Sequence, residues 1–330
     1  MKVRHLVITA VLAALPLFDQ AASAATIELI ETFDFPGAGK LTEPQKINDH
    51  GDIVGTVIDA ATGVAKGFYR DRNGHFSGPF VEPNDTAGLT NGRGINNART
   101  ICGNYTDGSD GLSHGFLLVR RAISEADVPG ASETLAFGIN NAGELAGSLV
   151  ASDGITQSGF LSAGGTVTVF DVPDAAATLA YQVNDSNQTA GFYFDAESVT
   201  HGFLRASDGT LTYPIDPEGS TSTILFGNND SNWVVGRYAD ADGNSHALFF
   251  VTPDEFIRYD YPGAILTSFN GINARGYITG RYIDPSGGEH GILLKVNLNE
   301  ASDPSKTLSA KKVKPAVPSP AAPAIGTPAL

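Results

Sequence analysis

The chain has 330 residues, with 36 Asp and Glu against 21 Lys and Arg, a net charge of −15, 38 Gly, 18 Pro and one Cys. A chain of this length can bury a large core, and a hydrophobic content of 42% is too high for a disordered protein. The single Cys excludes an intramolecular disulfide and any metal site built from several cysteines. The acidic balance argues against nucleic-acid binding, because phosphate backbones are held by basic surfaces.

The first 24 residues have the features of a secretory signal peptide. Lys2 and Arg4 precede an apolar run over 6–18, and the small residues 22–24 form a typical cleavage site. The run is too short to span a bilayer, and no later stretch approaches that length. We therefore expect a secreted or periplasmic protein that does not span a membrane, with its body at 25–299.

Residues 300–330 differ in composition from the body. They contain six Pro and four Lys but no aromatic residue, so they cannot bury a core. We predict a disordered Pro/Ala/Lys tail that acts as a spacer, and a contact with the cell surface is the alternative.

A unit of about 44 residues occurs six times between these ends. Each copy has an acidic residue just before a Pro, an Asn eleven to thirteen residues after the Pro, a Gly seven residues after the Asn, and an apolar pair such as Gly-Phe further on. The six repeated Asn residues are Asn48, Asn96, Asn140, Asn184, Asn229 and Asn273. Self-similarity at a fixed period is the signature of a repeat architecture.

Each copy is predicted to form four short strands and no helix. In the third copy these strands span 137–140, 145–150, 159–162 and 166–172. The first turn reads Asn-x-x-Gly or Asn-x-x-Asn, and its last position needs a positive φ. Arg99 stands at that position in the second copy, where we expect strain or a different turn.

Six such copies predict an all-β fold, a six-bladed β-propeller. The last copy lacks a fourth strand, and we predict that the N-terminal strand from Thr26 to Phe35 supplies it and closes the ring. The alternative is an open solenoid, which would leave an unpaired sheet edge.

The motifs Asp-x-Pro-Gly-Ala, Ile-Asn-x-x-Gly-x-Ile-Val-Gly-x-Tyr-x-Asp and His-Gly-Phe-Leu resemble those of the extracellular HAF-repeat proteins of bacteria. The resemblance covers residues 33 to about 295. It implies a propeller-type repeat and export, but no reaction, because a fold does not determine a function.

An Asp at the end of the second strand and a His at the start of the third recur together. We predict that they form a structural clasp, since charge-assisted hydrogen bonds are strong. The pairs are Asp107 and His114, Asp195 and His201, Asp240 and His246, and Asp284 and His290. The first copy has Asp59 and Lys66, and the third has lost both partners. A ring of metal ligands is the alternative, although successive third strands of a propeller lie far apart.

The loops between these pairs are rich in Asp, which makes calcium a candidate cofactor because calcium prefers carboxylate and carbonyl oxygens. The candidate ligands are Asp107, Asp110, Asp240 and Asp242. Neither loop has EF-hand spacing, so an ordinary Asp-Gly turn without metal is the alternative.

The fifth and sixth copies differ from the others at two positions. Trp233 and Tyr277 follow the Asn turn, and Arg237 and Arg281 come four residues later. These four residues are the candidate ligand-binding set, because aromatic faces take up apolar sugar faces and guanidinium forks match carboxylates. Alternatively, the arginines only pair with acids of neighbouring copies, such as Asp260.

Standard catalytic motifs such as Gly-x-Ser-x-Gly and His-Glu-x-x-His are absent from the sequence. We therefore predict a secreted, non-catalytic binding or envelope-associated scaffold, whose partner is an extracellular polysaccharide or a cell-surface component. The alternative is an extracellular hydrolase or lyase that acts on an acidic polysaccharide and holds substrate carboxylates with Arg237 and Arg281. Blade-specific polar groups that converge on the channel mouth would favour this alternative.

Overall fold

The computed structural model describes residues 25–59, 61–252 and 255–298. The predicted signal peptide and tail lie outside these ranges. The described residues form β-strands joined by turns and loops, which confirms the all-β prediction. Over the same ranges, no helix has the length and apolar character needed to cross a membrane.

The strands pair antiparallel in sets of four, which we call units 1 to 6. Units 1 to 3 contain β2 (Ala38–Ile47), β3 (Ile53–Asp59), β4 (Ala65–Arg70), β5 (Phe76–Phe80), β6 (Asn91–Ile95), β7 (Ile101–Thr106), β8 (Ser113–Val119), β9 (Ala122–Glu125), β10 (Glu133–Ile139), β11 (Leu145–Val150), β12 (Gln157–Ala163) and β13 (Thr166–Phe170). Units 4 to 6 contain β14 (Ala177–Val183), β15 (Thr189–Phe194), β16 (Thr200–Arg205), β17 (Leu211–Ile215), β18 (Ser222–Asn228), β19 (Val234–Ala239), β20 (Ser245–Thr252), β21 (Glu255–Tyr259), β22 (Leu266–Ile272), β23 (Tyr277–Ile283), β24 (Glu289–Leu298) and β1 (Ala25–Phe33).

Unit 6 takes its fourth strand from the other end of the body. β1 pairs antiparallel with β24, from Ala25 opposite Leu298 to Phe33 opposite Gly291. The strand that we predicted from Thr26 to Phe35 is therefore present at this edge and ends two residues earlier than expected. Asp34, directly after β1, turns away from the ladder to contact His290.

The first strand of unit 3 is longer than the sequence suggests. β10 begins at Glu133 and not at 137, because a register shift between Ala136 and Gly138 interrupts the alternation of side chains on which the prediction depended. All six first strands are bulged at this place, and each bulge leaves one residue without a cross-strand partner. The bulged residues are Gln45, Arg93, Phe137, Tyr181, Phe226 and Asn270.

In units 1 to 4, the repeated Gly and the Phe of the apolar pair form one packing contact. A Cβ atom on Gly147 would lie 2.1 Å from the backbone oxygen of Leu135 and 2.5 Å from the ring of Phe160. The Phe160 side chain fills this space and is itself buried. Its counterparts are also buried, namely Phe68, Phe116, Phe203, Leu248 and Ile292. Because this packing leaves no room for a methyl group, Gly is required seven residues after each Asn.

The repeated Asn residues join the units to one another. The side-chain Nδ2 of each Asn donates a hydrogen bond of 2.9–3.2 Å to the backbone oxygen of the Asn in the next unit. The last of these bonds runs from Asn273 in unit 6 to Asn48 in unit 1, at 2.9 Å. The six buried Asn side chains therefore form one circle of hydrogen bonds, which we call the Asn circle.

The same side chains also cap the first turn of each unit. Asn229 Oδ1, for example, accepts hydrogen bonds from the backbone N–H groups of Ser231 and Trp233, at 3.0 and 3.1 Å. Arg99 occupies the left-handed position of this turn in unit 2 with a φ of 62°, as the sequence predicted. Its Nε atom donates to the buried carboxylate of Asp52 at 2.8 Å, a contact between units that offsets the backbone strain.

We expect Asn229→Ala to lower the free energy of unfolding by about 3 kcal/mol, because it removes the hydrogen bond to the backbone oxygen of Asn273 and leaves two turn N–H groups without their acceptor. Denaturant unfolding monitored by tryptophan fluorescence measures this. The control is Asn73→Ala at an exposed turn position, which should change stability by less than about 0.5 kcal/mol. Equal effects of the two substitutions would contradict a central role for the Asn circle.

Candidate functional site

Four units hold a His between two carboxylates. In unit 4, His201 Nε2 lies 3.2 Å from Asp195, and His201 Nδ1 lies 2.7 Å from Asp216. The other sets are His246 with Asp240 and Asp260, His290 with Asp284 and Asp34, and His114 with Asp110 and Asp127. The second carboxylate is the acidic residue that precedes the repeated Pro, a partner that the sequence analysis did not assign.

Unit 2 departs from the predicted pairing of Asp107 with His114. Seven residues separate these two positions, whereas the Asp and His of the other three pairs are six residues apart. The longer loop places Asp110 against His114 Nε2, at 3.2 Å. Asp107 Oδ1 instead accepts a hydrogen bond from the backbone N–H of Ser109. In unit 1, Lys66 Nζ lies 2.8 Å from Asp59.

A Tyr belongs to the same recurring set. The ring of Tyr282 stacks on His290 with 4.8 Å between centroids, and the other three pairs are Tyr105 with His114, Tyr193 with His201, and Tyr238 with His246. Leu149 stands at the Tyr position in unit 3, where Ser158 replaces the His. Comparing this position among the six copies would have identified the Tyr as a member of the set, because Tyr is present in the copies that have the His.

The calcium candidates do not converge on a common point. Asp107, Asp110 and Asp240 accept hydrogen bonds from backbone N–H groups of their own loops, and Asp242 donates its backbone N–H to Asp240. Within 25–59, 61–252 and 255–298, no group of three or more His, Cys, Asp or Glu is arranged to hold a metal ion. A contact that recurs within single units is what repeat stability requires.

A second set of residues does not repeat from unit to unit, and it lies at and next to the bulged positions of the first strands. The rings of Phe137 and Tyr181 are stacked with centroids 4.3 Å apart, and Phe226 contacts Tyr181 at 5.2 Å. Lys46 of unit 1 extends to Tyr181 of unit 4, with Nζ 5.6 Å from the ring centre. Lys46 also donates to the backbone oxygen of Asn270 at 3.1 Å. Side chains from four units and a backbone oxygen from a fifth therefore meet on the inner side of the first strands.

We call the charged and phenolic members of this region the axial cluster. It consists of Glu43, Lys46, Arg93, Tyr181, Arg237, Arg281 and Glu289, which are linked by contact or by electrostatic interaction. Four of these side chains are cationic and two are carboxylates, in a chain whose net charge is −15. Desolvation by burial lowers the pKa of Lys46 to about 7. The cluster thus concentrates positive charge where little solvent is present to stabilise it.

Arg281 is neutralised within this cluster. Its guanidinium donates to Glu43 of unit 1 and to Glu289 of its own unit, the latter at 3.0 Å. All three side chains are about one-fifth exposed, and desolvation raises the pKa of Glu289. The alternative that the arginines only pair with acids therefore describes Arg281 well. Asp260 is not one of these acids, because it contacts Arg258 and His246.

Arg237 differs from Arg281 because it has no carboxylate partner. The Nε atoms of both arginines are buried without an acceptor, but the guanidinium of Arg237, unlike that of Arg281, forms no ion pair or hydrogen bond with the described residues. Desolvation lowers the pKa of Arg237, and the charge of Arg281 lowers it further, whereas Tyr181, Glu43 and Glu289 act in the opposite direction without forming an ion pair with it. Removing a charge from water without a counterion is costly, so an anion that reached this guanidinium would be strongly stabilised.

The predicted aromatic partners of the arginines lie elsewhere. Trp233 and Tyr277 are at the Asn end of the second strands, and four extended residues, about 13 Å, separate each from its Arg. Trp233 packs edge-on against Phe249, and Tyr277 packs in a hydrophobic cluster with Phe33. The structure therefore does not bring these four residues together as one binding set.

Most of the axial cluster was not predicted from the sequence, although the repeat contained a signal for it. Lys46 stands where four other copies have Gly, and Tyr181 and Arg93 stand in the most variable column of the first strand. We assigned no role to these three residues. The bulges that bring them together cannot be predicted from the alternation of side chains along a strand.

We expect the contribution of His201 to stability to depend on pH. Desolvation disfavours the charged ring, but hydrogen bonds to Asp216 and Asp195 outweigh it and raise the pKa of His201. The contribution is full below the unfolded value of about 6.5 and is lost as the pH rises through the raised folded value. On the acid side it is lost as the pH falls below about 3.9, through the lowered pKa of Asp195.

The measurement is the difference in unfolding free energy between the protein and His201→Gln from pH 3 to pH 9. His75→Gln, which removes an exposed ring outside the four sets, controls for the loss of any His. A difference that does not vary with pH would show that the ring acts by packing alone.

We expect Arg237→Met and Arg281→Met to change stability in opposite directions. Arg281→Met leaves Glu43 and Glu289 without their cation and should cost about 2 kcal/mol, whereas Arg237→Met removes an unpaired buried charge and should gain on the order of 1 kcal/mol. Denaturant unfolding of both variants tests this. Destabilisation by both would mean that Arg237 has a partner in the folded protein.

No family model matches the chain, and no curated protein matches its sequence. Among solved structures, it is similar to one assigned as TolB from Agrobacterium tumefaciens, with 11% identity, 84% of this chain and 99% of that chain covered, and a TM-score of 0.53. It is also similar to the β-propeller domain of the Trilobed protease from Pyrococcus furiosus (8% identity, 80% and 86% covered, TM-score 0.45) and to the Aleuria aurantia lectin AAL (9%, 82% and 99%, 0.47). The likeness shows the fold alone: this is an all-β chain that resembles β-propeller proteins.

Proposed function

We propose that this protein is an exported six-bladed β-propeller that binds a carboxylate-bearing ligand at Arg237, without turnover. The Asn circle, which runs from unit 6 back to unit 1, supports a closed ring of six blades. The pairing of β1 with β24 supports closure by the N-terminal strand. Export is supported by the signal-peptide features of residues 1–24 and agrees with the resemblance to HAF-repeat proteins.

The observation that carries the binding proposal is the unpaired guanidinium of Arg237. Every recurring charge described above has a partner inside its own unit, and Arg281 has two carboxylates. Arg237 has none among the described residues, and it lies beside Arg281 in a region of excess positive charge. A folded protein tolerates such a charge where a ligand supplies the counterion, since function is the usual reason for an uncompensated buried group.

The chemistry of the surroundings favours a carboxylate on a ring-shaped ligand. A guanidinium fork binds a carboxylate with two parallel hydrogen bonds. Phe192 occupies the strand position in unit 4 that Arg237 occupies in unit 5, and its ring lies 5.4 Å from that of Tyr181. An acidic polysaccharide offers both a carboxylate and an apolar sugar face, so it is the first ligand class to test.

The test is titration calorimetry of the mature chain with oligogalacturonate, using a neutral glucan of equal length as the control ligand. We expect binding of the acidic oligomer only, and at least a tenfold loss of affinity in Arg237→Gln, which removes a charge-assisted contact. Arg258→Gln removes a surface arginine from the same unit and should leave the affinity unchanged. Equal affinity of the protein and Arg237→Gln would reject the proposed site.

A lyase is the second candidate function, because non-repeated polar groups converge here and Lys46 is among them. An amine with a pKa of about 7 is well suited to remove a proton next to a carboxylate that arginine neutralises. Lys46 is only 4% exposed, however, and its ammonium already contacts Asn270 and Tyr181. This enclosure favours a structural role for Lys46, and hence binding over turnover.

The two functions are separated by incubating the protein with polygalacturonate and measuring the absorbance of unsaturated products. We expect no product. Product that accumulates, and that is lost in Lys46→Met, would establish the lyase in place of the binding protein.

A further inference from the structure

A groove of about 780 Å³ lies between the outer strands of units 1 and 2 and shares no residue with the axial cluster. Its floor is apolar and includes Tyr69, Phe80, Ile101, Leu118 and Ile123. Its rim carries Arg99, Arg120 and Arg121. The volume is that of a site for a small organic ligand, and the lining combines an apolar surface with positive charge.

The chain departs from its repeat on both sides of this groove. The connection between β5 and β6 spans residues 81–90, ten residues, whereas the other four connections between consecutive units have six or seven. Val81, Glu82 and Pro83 from this longer connection line the groove. Glu82 directs its carboxylate to the backbone N–H of Asn84, in its own loop.

Arg120 and Arg121 form the two-residue turn between β8 and β9 in an unfavourable conformation. Their φ angles are 48° and 79°, and in unit 3 the same turn consists of Gly164 and Gly165. Residues with a Cβ atom avoid the left-handed region, and two-residue hairpins prefer Asn-Gly there. Both arginines are exposed and form no ion pair with the described residues, so the fold gains no visible contact from them.

Arg99 contributes less free charge to the rim than the two turn arginines. Its guanidinium donates to the carboxylate of Asp52, which neutralises it. The uncompensated charge of the groove therefore comes from Arg120 and Arg121. In a chain with a net charge of −15, two adjacent unpaired cations at the edge of an apolar surface are complementary to one anionic group attached to an apolar chain.

We propose that this groove binds an anionic amphiphile, whose apolar chain lies on the Tyr69, Phe80, Leu118 floor and whose carboxylate pairs with Arg120 and Arg121. The proposal is independent of the ligand at Arg237, because the two sites have no residue in common. It also explains why arginines occupy a turn that glycine or asparagine would form with less strain.

The test uses octanoate, 1-octanol and acetate as probes of the full chain, with titration calorimetry as the measurement. We expect octanoate to bind at least tenfold more tightly than 1-octanol, which lacks the charge, and than acetate, which lacks the chain. Arg120→Asn/Arg121→Gly should reduce octanoate affinity about tenfold, to the level of 1-octanol. Because this pair of substitutions installs the preferred turn, the variant should melt at a higher temperature than the protein, which excludes unfolding as the cause.

Two further measurements keep the result specific. Arg237→Gln should bind octanoate as the unaltered protein does, so a failure at the axial cluster leaves this site testable. Sedimentation reports whether a second copy of the chain occupies the groove instead. The proposal is overturned if octanoate does not bind, if it binds no better than 1-octanol or acetate, if the turn variant keeps full affinity, or if the variant abolishes a dimer and not octanoate binding.

Discussion

The circle of Asn hydrogen bonds is the constraint on which the rest of the molecule depends. Each buried amide uses its N–H to reach the next unit and its oxygen to cap its own turn, so one side chain sets both the shape of a hairpin and the distance to its neighbour. That short distance leaves little room on the inner strands. A Cβ atom on Gly138 would lie 2.8 Å from the Cα atom of Gln182 in the next unit, which explains why Gly stands two residues before the Asn in four of the six copies.

The repeat and its exceptions perform different tasks. Features found in most units, such as the His held by two carboxylates or the Phe packed over Gly, satisfy every charge or void within a unit. The exceptions do not: no carboxylate of the described residues forms an ion pair with Arg237, and Arg120 and Arg121 occupy a strained turn. A protein assembled from self-sufficient units can tolerate such local losses, because each unit contributes its own stability.

The sequence was sufficient for the strands, the turns and the Asp-to-cation contacts, since these depend on neighbours within one copy. It failed for Asp107, because one added loop residue moved Asp110 into its place. It also failed for the binding set: Trp233 precedes β19, which holds Arg237 near its other end, and the charged and phenolic neighbours of Arg237 come from other units, with Tyr181 brought in by a bulge. The sequence repeat predicts which residues are close along a strand. It does not predict which side chains of different units lie close together across the Asn circle.

The pairing of β1 with β24 has a consequence for how the chain is assembled. Of the described strands, β1 is synthesised first and its partner β24 last, so unit 6 is complete only after synthesis has passed Leu298. Until then β1 is an edge without a ladder, and contacts of this sequence separation are the slowest to form. Glu28 and Glu31 place negative charge on β1 while it is unpaired. This charge discourages pairing of β1 with a second copy of the chain.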